Sequence, residues 1–374
     1  MASGISSDCL VLGGGIAGLS TAWALARRGA AKVTLVEQEP LVGSHSSGRN
    51  AAIWLPVEDD LATRTFAPQS VELLDELFGD LTWKAETGAV LAAPSKSQLF
   101  AAERSLTAQA APFDVLSESE LFYQAPQLRG GRCGQGLLVH QAGVMDIAKM
   151  IDTLHRAARR LGVRILCGEQ VGAFLGNRIR VDGVRTTQGR SLRADRVIIA
   201  SGAWAGVHGE MAGVPTPHIP LRRHLMQLKS EHRNQRPSRV IWTLSPEMYF
   251  RSESSGILAC AGEEDEMMPS IPTKDPAVFS VLTDKLKKMA PLLLETKVQR
   301  YWACVRTFTA DRQPLLGIDP RKEGLAWASG FGGRGMTIGL AAGDHVARSV
   351  LQSEAVGSTF CPGRITGKPD RLAG

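Results

Sequence analysis

The sequence predicts an α/β fold in two parts: a discontinuous Rossmann-type domain and a second domain carrying a mostly antiparallel β-sheet. Three observations predict it. The run CLVL (9–12), the glycine turn Gly13–Gly18, the apolar stretch LSTAWALARRG and the run KVTLVE form a strand–helix–strand unit at the start of the chain. Short runs bounded by turn residues then occupy TGAVLAAP (87–94), RRHLMQLKS (222–230), VIWTLS (240–245) and MYFRSESSGILACAG (248–262), a pattern of antiparallel strands. Near the end, LAWASG passes through a second glycine turn into a helical run reaching Leu351, so the strand–turn–helix pattern of the first part returns.

A chain of 374 residues can bury a sizeable core in two domains, and 44% hydrophobic against 21% charged content is that of a globular protein. The net charge of +6 is scattered. Arginine pairs at 27–28, 159–160 and 222–223 never grow into a basic tract, so nucleic acid is not an expected partner, whereas a small anionic ligand fits. The six cysteines lie far apart with no CxxC pair, which argues against a disulfide framework or a zinc site and suits a reducing, cytoplasmic compartment. No group of His, Cys and carboxylates has metal-ligand spacing. Residues 9–26 are uncharged and end in ALA, but no Lys or Arg precedes them and three glycines interrupt them, so a secretory leader is a poor reading.

Gly13-Gly14-Gly15-Ile16-Ala17-Gly18 is a GxGxxG sequence between strand and helix. In that setting Gly13 permits the tight turn, Gly15 lets a diphosphate approach the backbone beside Ile16 and Ala17, and Gly18 lets helix and strand pack closely. Glu37, with Gln38 beside it, ends the second strand where a carboxylate can accept hydrogen bonds from ribose hydroxyls. An acid here argues against a 2′-phosphate and leaves NAD and FAD both open.

The next segment, GSHSSGRNAAIW (43–54), resembles the flavin-contacting loop of the D-amino-acid oxidase (DAO) superfamily of FAD-dependent oxidoreductases. Its motifs are most similar to those of bacterial D-arginine dehydrogenases and glycine oxidases. The resemblance implies that His45, Ser46, Ser47 and Arg49, followed by Asn50 and Ala51, line the isoalloxazine and diphosphate of FAD, since hydroxyls and a guanidinium suit a dianion. It implies that Val171 in VGAF meets the adenine, and that Ala200 and Gly202 at the end of RADRVIIASG leave room for the cofactor. It also places Gly332, Gly333, Arg334, Gly335, Met336 and Thr337 against the flavin pyrimidine, where free N–H groups and a helix dipole favour the reduced flavin's charge. In the family pattern, residues 1–75, 140–215 and 300–374 form the FAD-binding domain, and 76–139 with 216–299 the substrate-binding domain. The resemblance runs from Asp8 to about Arg364.

WACVRTF (302–308) sets an arginine in an apolar run, where a charge is costly unless something negative meets it. A structural ion pair is one answer. The resemblance implies another, that Arg306 pairs with the substrate carboxylate, for which its planar fork is a geometric match. Arg222 in PLRRHL, Tyr249 in MYFR and His45 are implied as further catalytic-site contacts. The implied reaction is oxidative deamination of a D-amino acid or a glycine-like one: a hydride leaves Cα for flavin N5, and the imino acid hydrolyses to an oxo acid and ammonia. The alternative is a secondary-amine oxidase or dehydrogenase of the sarcosine or proline type, with flavin tethered through Cys304; a small core thiol is the plainer use of that residue. The acid that meets a basic substrate side chain in D-arginine dehydrogenases has no counterpart, because Thr87 or Gly88 stands there with Glu86 offset, so arginine or lysine specificity is not implied. Molecular oxygen and a quinone or dye are both open as electron acceptor, the latter with peripheral membrane contact. Residues 361–374 (CPGRITGKPDRLAG) are polar and rich in turn residues, and are expected to be poorly ordered.

Overall fold

A computed structural model describes residues 5–365, apart from 231, 233, 234, 255, 353, 355 and 356. The opening strand Ile5–Leu12 is buried continuously from Cys9 onwards, as its uninterrupted apolar run requires of a parallel strand covered on both faces. It pairs in parallel with Val33–Glu37 on one side and Ser191–Ile199 on the other. The parallel set extends to Arg164–Cys167 beyond Val33–Glu37, and to Leu325–Ser329 beyond Ser191–Ile199. Antiparallel strands Val171–Gly176 and Val181–Thr186 widen one edge. Helix Ile16–Arg27 crosses between the first two strands and packs on the last helix, Gly335–Gln352. At their contact a Cβ on Gly343 would lie 2.7 Å from the Ser20 carbonyl carbon, so the two helix backbones meet closely. The carboxyl ends of the parallel strands (Leu12, Glu37, Cys167, Ile199 and Ser329) point the same way, and ligand crevices in open α/β sheets form beyond such ends.

The second sheet is antiparallel except where Val240–Leu244 runs parallel to Ala89–Ala93. Its strands include Ile219–Lys229, Glu247–Glu253 and Gly256–Cys260, which lie where alternation predicts them. Helix Val278–Met289 seals one face, with Leu282, Leu286 and Met289 packed in a core that includes Met226 and Phe250. A small ladder of Ile53–Trp54, Gly143–Met145 and Lys84–Ala85 completes the β structure used here.

Two expectations change. The strand Lys297–Phe308 hydrogen-bonds along its length to Ile219–Lys229, with Cys304 opposite Arg223 and Arg306 opposite Leu221. Its ladder therefore belongs to the second sheet, whereas a boundary at 300 would assign it to the first. Cys361–Ile365 is not loose: the Phe360 carbonyl accepts from the Leu316 N–H at 3.0 Å, and Arg364 meets Asp311 at 2.7 Å. The remainder of that polar tail, 366–374, lies outside the described residues. No helix among the described residues is long and apolar enough to cross a membrane.

Candidate active site

A single cleft runs from the ends of the parallel strands to the second sheet. At its inner end Gly13 takes a φ of +110°, and a Cβ there would lie 2.6 Å from the Ala200 carbonyl oxygen. A Cβ on Gly18 would sit 1.8 Å from the Gly13 carbonyl oxygen, so Gly18 serves helix–strand packing and does not line the cleft. Helix Ile16–Arg27 starts at Gly15 with no side-chain cap and no acid in its first turn. The Ile16 N–H donates to Ser47 Oγ at 2.9 Å and the Gly14 N–H to Glu37 Oε2 at 2.5 Å. The N–H groups of Gly15 and Ala17 have no hydrogen-bond partner among the described residues. A glycine cradle with uncapped helix N–H groups is the donor set a diphosphate requires, and the FAD diphosphate fits it. The other Glu37 oxygen accepts from the Glu39 N–H at 2.8 Å, so this carboxylate shapes the turn and keeps lone pairs for a ribose; Gln38 also lines the cleft.

The polar loop after the second strand forms the next stretch of wall, with His45, Ser46, Ser47, Arg49, Asn50 and Ala51 all exposed to the cleft. Asn50 holds the loop in shape: its Nδ2 donates to the Ser47 carbonyl at 2.7 Å and its Oδ1 accepts from the Ala52 N–H at 2.8 Å. Ser46 Oγ donates to the Val305 carbonyl at 2.5 Å, and Trp302 Nε1 to the Arg49 carbonyl at 3.0 Å, so this loop is fastened to the long strand of the second sheet. His45 Nε2 pairs with Glu39 Oε1 at 2.8 Å and its ring lies on Trp204 at 5.0 Å between centroids. Both contacts hold the imidazole in place in the cleft wall. Val171, Ala200 and Gly202 line the cleft as well.

Opposite stands the turn before the last helix. Gly332 and Gly333 have φ of +57° and +88°, and a Cβ on each would lie 2.5 Å from Phe308 and 2.8 Å from the Arg306 side chain respectively. Only glycine meets both demands. Arg334 is buried and fully engaged: it pairs with Asp60 at 2.5 Å and donates to the Arg312 carbonyl at 2.7 Å. Gly335, Met336 and Thr337 then open the helix along the cleft.

Arg306 reaches into this cleft with an Nη2–H donated to the Tyr249 hydroxyl at 3.1 Å, and no carboxylate pairs with it among the described residues. Tyr249 is buried with its ring tilted against Trp242 at 4.5 Å between centroids, and burial pushes its hydroxyl pKa up, so the hydroxyl that accepts from Arg306 stays neutral. Arg222 is not brought here. Its guanidinium donates to Asp275 at 2.9 Å and Asp265 at 3.3 Å, because on this strand it points to the 265–275 segment. Its neighbour Arg223 is buried between Glu247 and Glu264, at 3.0 and 3.1 Å. Cys304 lines the cleft, but its Sγ–H donates to the Arg223 carbonyl at 3.3 Å and burial pushes the thiol up to about 12.

Sequence reasoning missed Glu58, which lines the cleft near Arg306 and Arg334. Burial raises its carboxyl pKa, and the two arginines and its own backbone N–H pull the other way. Its position in the acidic run Glu58-Asp59-Asp60 reads locally as the start of the helix that follows, with Asp60 as the cap accepting from the Thr63 N–H at 3.1 Å. Thr87, Gly88 and Glu86 do not line the cleft; Glu86 is exposed and paired with Lys84, and the Thr87 carbonyl accepts from Arg239 at 2.8 Å.

The fold resembles those of solved proteins. L-proline dehydrogenase from P. horikoshii superposes with a TM-score of 0.85 over 96% of this chain and 98% of its own, at 23% identity. The chain is also 24% identical to the glycine oxidase of Bacillus licheniformis over 92% of its length and 93% of the relative's. It is 25% identical to the mitochondrial sarcosine dehydrogenase of Homo sapiens over 92% of this chain, yet spans only 40% of that relative's length. The model of the DAO family matches residues 8–349, which covers both glycine turns, the polar loop and the Arg306 strand, so the chain belongs to the FAD dependent oxidoreductases of that family.

Proposed function

We propose that the protein oxidises a small amino acid, or an N-alkyl amino acid, at its Cα–N bond, with Arg306 as the carboxylate anchor. The observation that carries this is an arginine facing the cofactor cleft with a tyrosine hydroxyl as its hydrogen-bond partner and no carboxylate of its own. A half-buried guanidinium in that state is completed by an anion, and its fork suits a carboxylate. Tyr249 holds the guanidinium by its hydroxyl oxygen. The glycine turn at 332–333 leaves the arginine room without letting it drift.

The Gly13–Gly18 turn, the loop at 45–51, Val171, Ala200, Gly202 and the turn at 332–337 would hold FAD, which when bound supplies the acceptor for the hydride leaving Cα. This reading assigns the parallel sheet to the FAD domain and the antiparallel sheet to the substrate domain. The protein's own work is orientation: a fixed carboxylate aims the Cα–H bond, and a water-poor wall of Ile53, Leu55, Leu225 and Trp242 strengthens the anchor pair. That apolar wall favours a small or apolar side chain. Glycine oxidase acts on a primary amine, whereas sarcosine and proline are secondary amines, and both types fit a carboxylate anchor.

The test is anaerobic titration of the purified flavoprotein with D- and L-amino acids, glycine, sarcosine and proline. Bleaching of the flavin by one of these identifies the substrate. A protein purified gently without flavin, or a flavin that no α-amino carboxylate bleaches, refutes the proposal.

A further inference from the structure

Three carboxylates line the cleft: Glu37, Glu58 and Glu169. Glu37 accepts from two backbone N–H groups and Glu169 pairs with Arg190 at 3.1 Å. Glu169 Oε2 is also buried without a hydrogen-bond partner, but that carboxylate is ion-paired through Oε1; Glu58 has an equally unpartnered buried Oε2 and no ion pair among the described residues. An unpartnered buried carboxylate oxygen is costly, and in a native protein it calls for a donor that binds there.

The segment that carries Glu58 is held firmly. The Glu58 carbonyl accepts from Ser105 Oγ at 3.0 Å, the Pro56 carbonyl accepts from Gln109 at 2.9 Å, and Asp59 pairs with Arg104. Asp60, two residues on, is taken by Arg334. The charged groups that face Glu58 are therefore Arg334 and Arg306 on the favourable side and Asp60 on the unfavourable one. Arg334 is committed to Asp60 and to backbone carbonyls, so it does not neutralise Glu58 by a direct pair. The cleft thus holds one arginine without an anion and one buried carboxylate oxygen, Glu58 Oε2, without a donor, the two groups close enough to feel each other. A zwitterion supplies both missing partners.

We infer that Glu58 binds the substrate's amino group and takes its proton, while Arg306 holds the carboxylate. This rests on the amino-acid reading of the site. In the step, one N–H bond of the substrate ammonium breaks and an O–H bond forms on Glu58 Oε2, leaving the nitrogen lone pair that Cα oxidation needs. No electrons are exchanged. A carboxyl whose ionisation is already disfavoured by burial accepts a proton more readily than an exposed one.

The experiment compares Glu58→Gln and Arg306→Ala with the wild-type holoenzyme, using the substrate found by titration and its des-amino carboxylate (acetate, if the substrate is glycine). Binding of the des-amino acid is read from the visible spectrum of the bound flavin. Glu58→Gln is expected to raise KM for the amino acid at least tenfold while changing the des-amino carboxylate's Kd by less than threefold. Its kcat/KM should also climb tenfold per pH unit up to the substrate's own amine pKa, whereas the wild type levels off earlier. Equal losses for both ligands, or an unchanged KM and pH profile, overturn the assignment of Glu58. Arg306→Ala should weaken both ligands alike; if it weakens neither, the anchor reading fails, a result separable from that of Glu58. Flavin content and thermal midpoint confirm that each variant is folded, and Glu58→Asp should recover part of the pH profile.

Discussion

At the scale of single residues, the site rests on unequal pairings. Arg306→Ala should raise KM by about a hundredfold or more with flavin still bound, since losing one partner of a shielded charge pair costs about 2–5 kcal/mol. Tyr249→Phe removes one hydrogen bond to the guanidinium and should cost roughly five- to tenfold in KM, measured by steady-state kinetics. Cys304 is buried and its thiol is pushed up to about 12, so thiolate is scarce at neutral pH. Acid precipitation of the holoenzyme should accordingly leave the yellow colour in the supernatant; colour in the pellet would show a covalent link. Arg306 and the glycines were legible in sequence because each sits in a local pattern that constrains it. Glu58 was not, since its meaning comes from Arg306 and Arg334, which are hundreds of positions away. Arg222 misled for the same reason: its partners Asp265 and Asp275 are invisible until the strand's facing is known.

At the scale of elements, the two glycine turns carry the cofactor geometry. Gly13→Ala would push a Cβ to 2.6 Å from the Ala200 carbonyl at a φ of +110°, and should lower flavin affinity at least tenfold, read as flavin content after dialysis. Arg222 fastens the segment 265–275, from which Ser270 and Pro272 line the cleft. Arg222→Ala should therefore change KM by less than threefold and stability by less than about 1 kcal/mol, as partly exposed ion pairs do. A hundredfold rise in KM would instead restore Arg222 as a substrate contact. Strand and helix existence was readable from periodicity in the strand–helix–strand unit at the start, in the runs of the second sheet and in the last strand–turn–helix, but not in the helices Leu61–Phe78 and Phe100–Ala108. The sheet membership of Lys297–Phe308 was not, because an apolar strand does not announce its neighbour, and pairing is decided by register against Ile219–Lys229.

At the scale of the whole molecule, acid sensitivity follows from a histidine that does not itself line the cleft. His218 lies flat on Trp327 at 5.7 Å, with its ring nitrogens bonded to Thr216 and Ser329 at 2.9 Å, and burial lowers its pKa to about 4. Unfolded, the imidazole titrates near 6.5. Between those values the unfolded chain holds more protons, so stability falls as pH drops from 6.5 towards 4, and the loss is complete below 4. The contribution is about 2 kcal/mol, less than the full shift implies because the ring keeps some exposure. Thermal midpoints of His218→Phe should consequently fall less steeply over that window than those of the wild type; parallel slopes would remove the assignment. The overall architecture was the most legible level, since the fingerprint turn, the polar loop and the last strand–turn–helix recur in a fixed order along the chain.

The contact between Gly333 and Arg306 has a consequence for how such a protein can change over time. Any side chain at 333 would displace the guanidinium, and any move of the guanidinium would leave the flavin-side turn with a void. Positions 306 and 333 are therefore locked to one another, and neither is a useful starting point for a new preference. Variation that alters which compound is accepted has to enter through the walls, at Ile53, Leu55, Leu225 and Trp242, where a substitution reshapes the space for a side chain and leaves the carboxylate where it is.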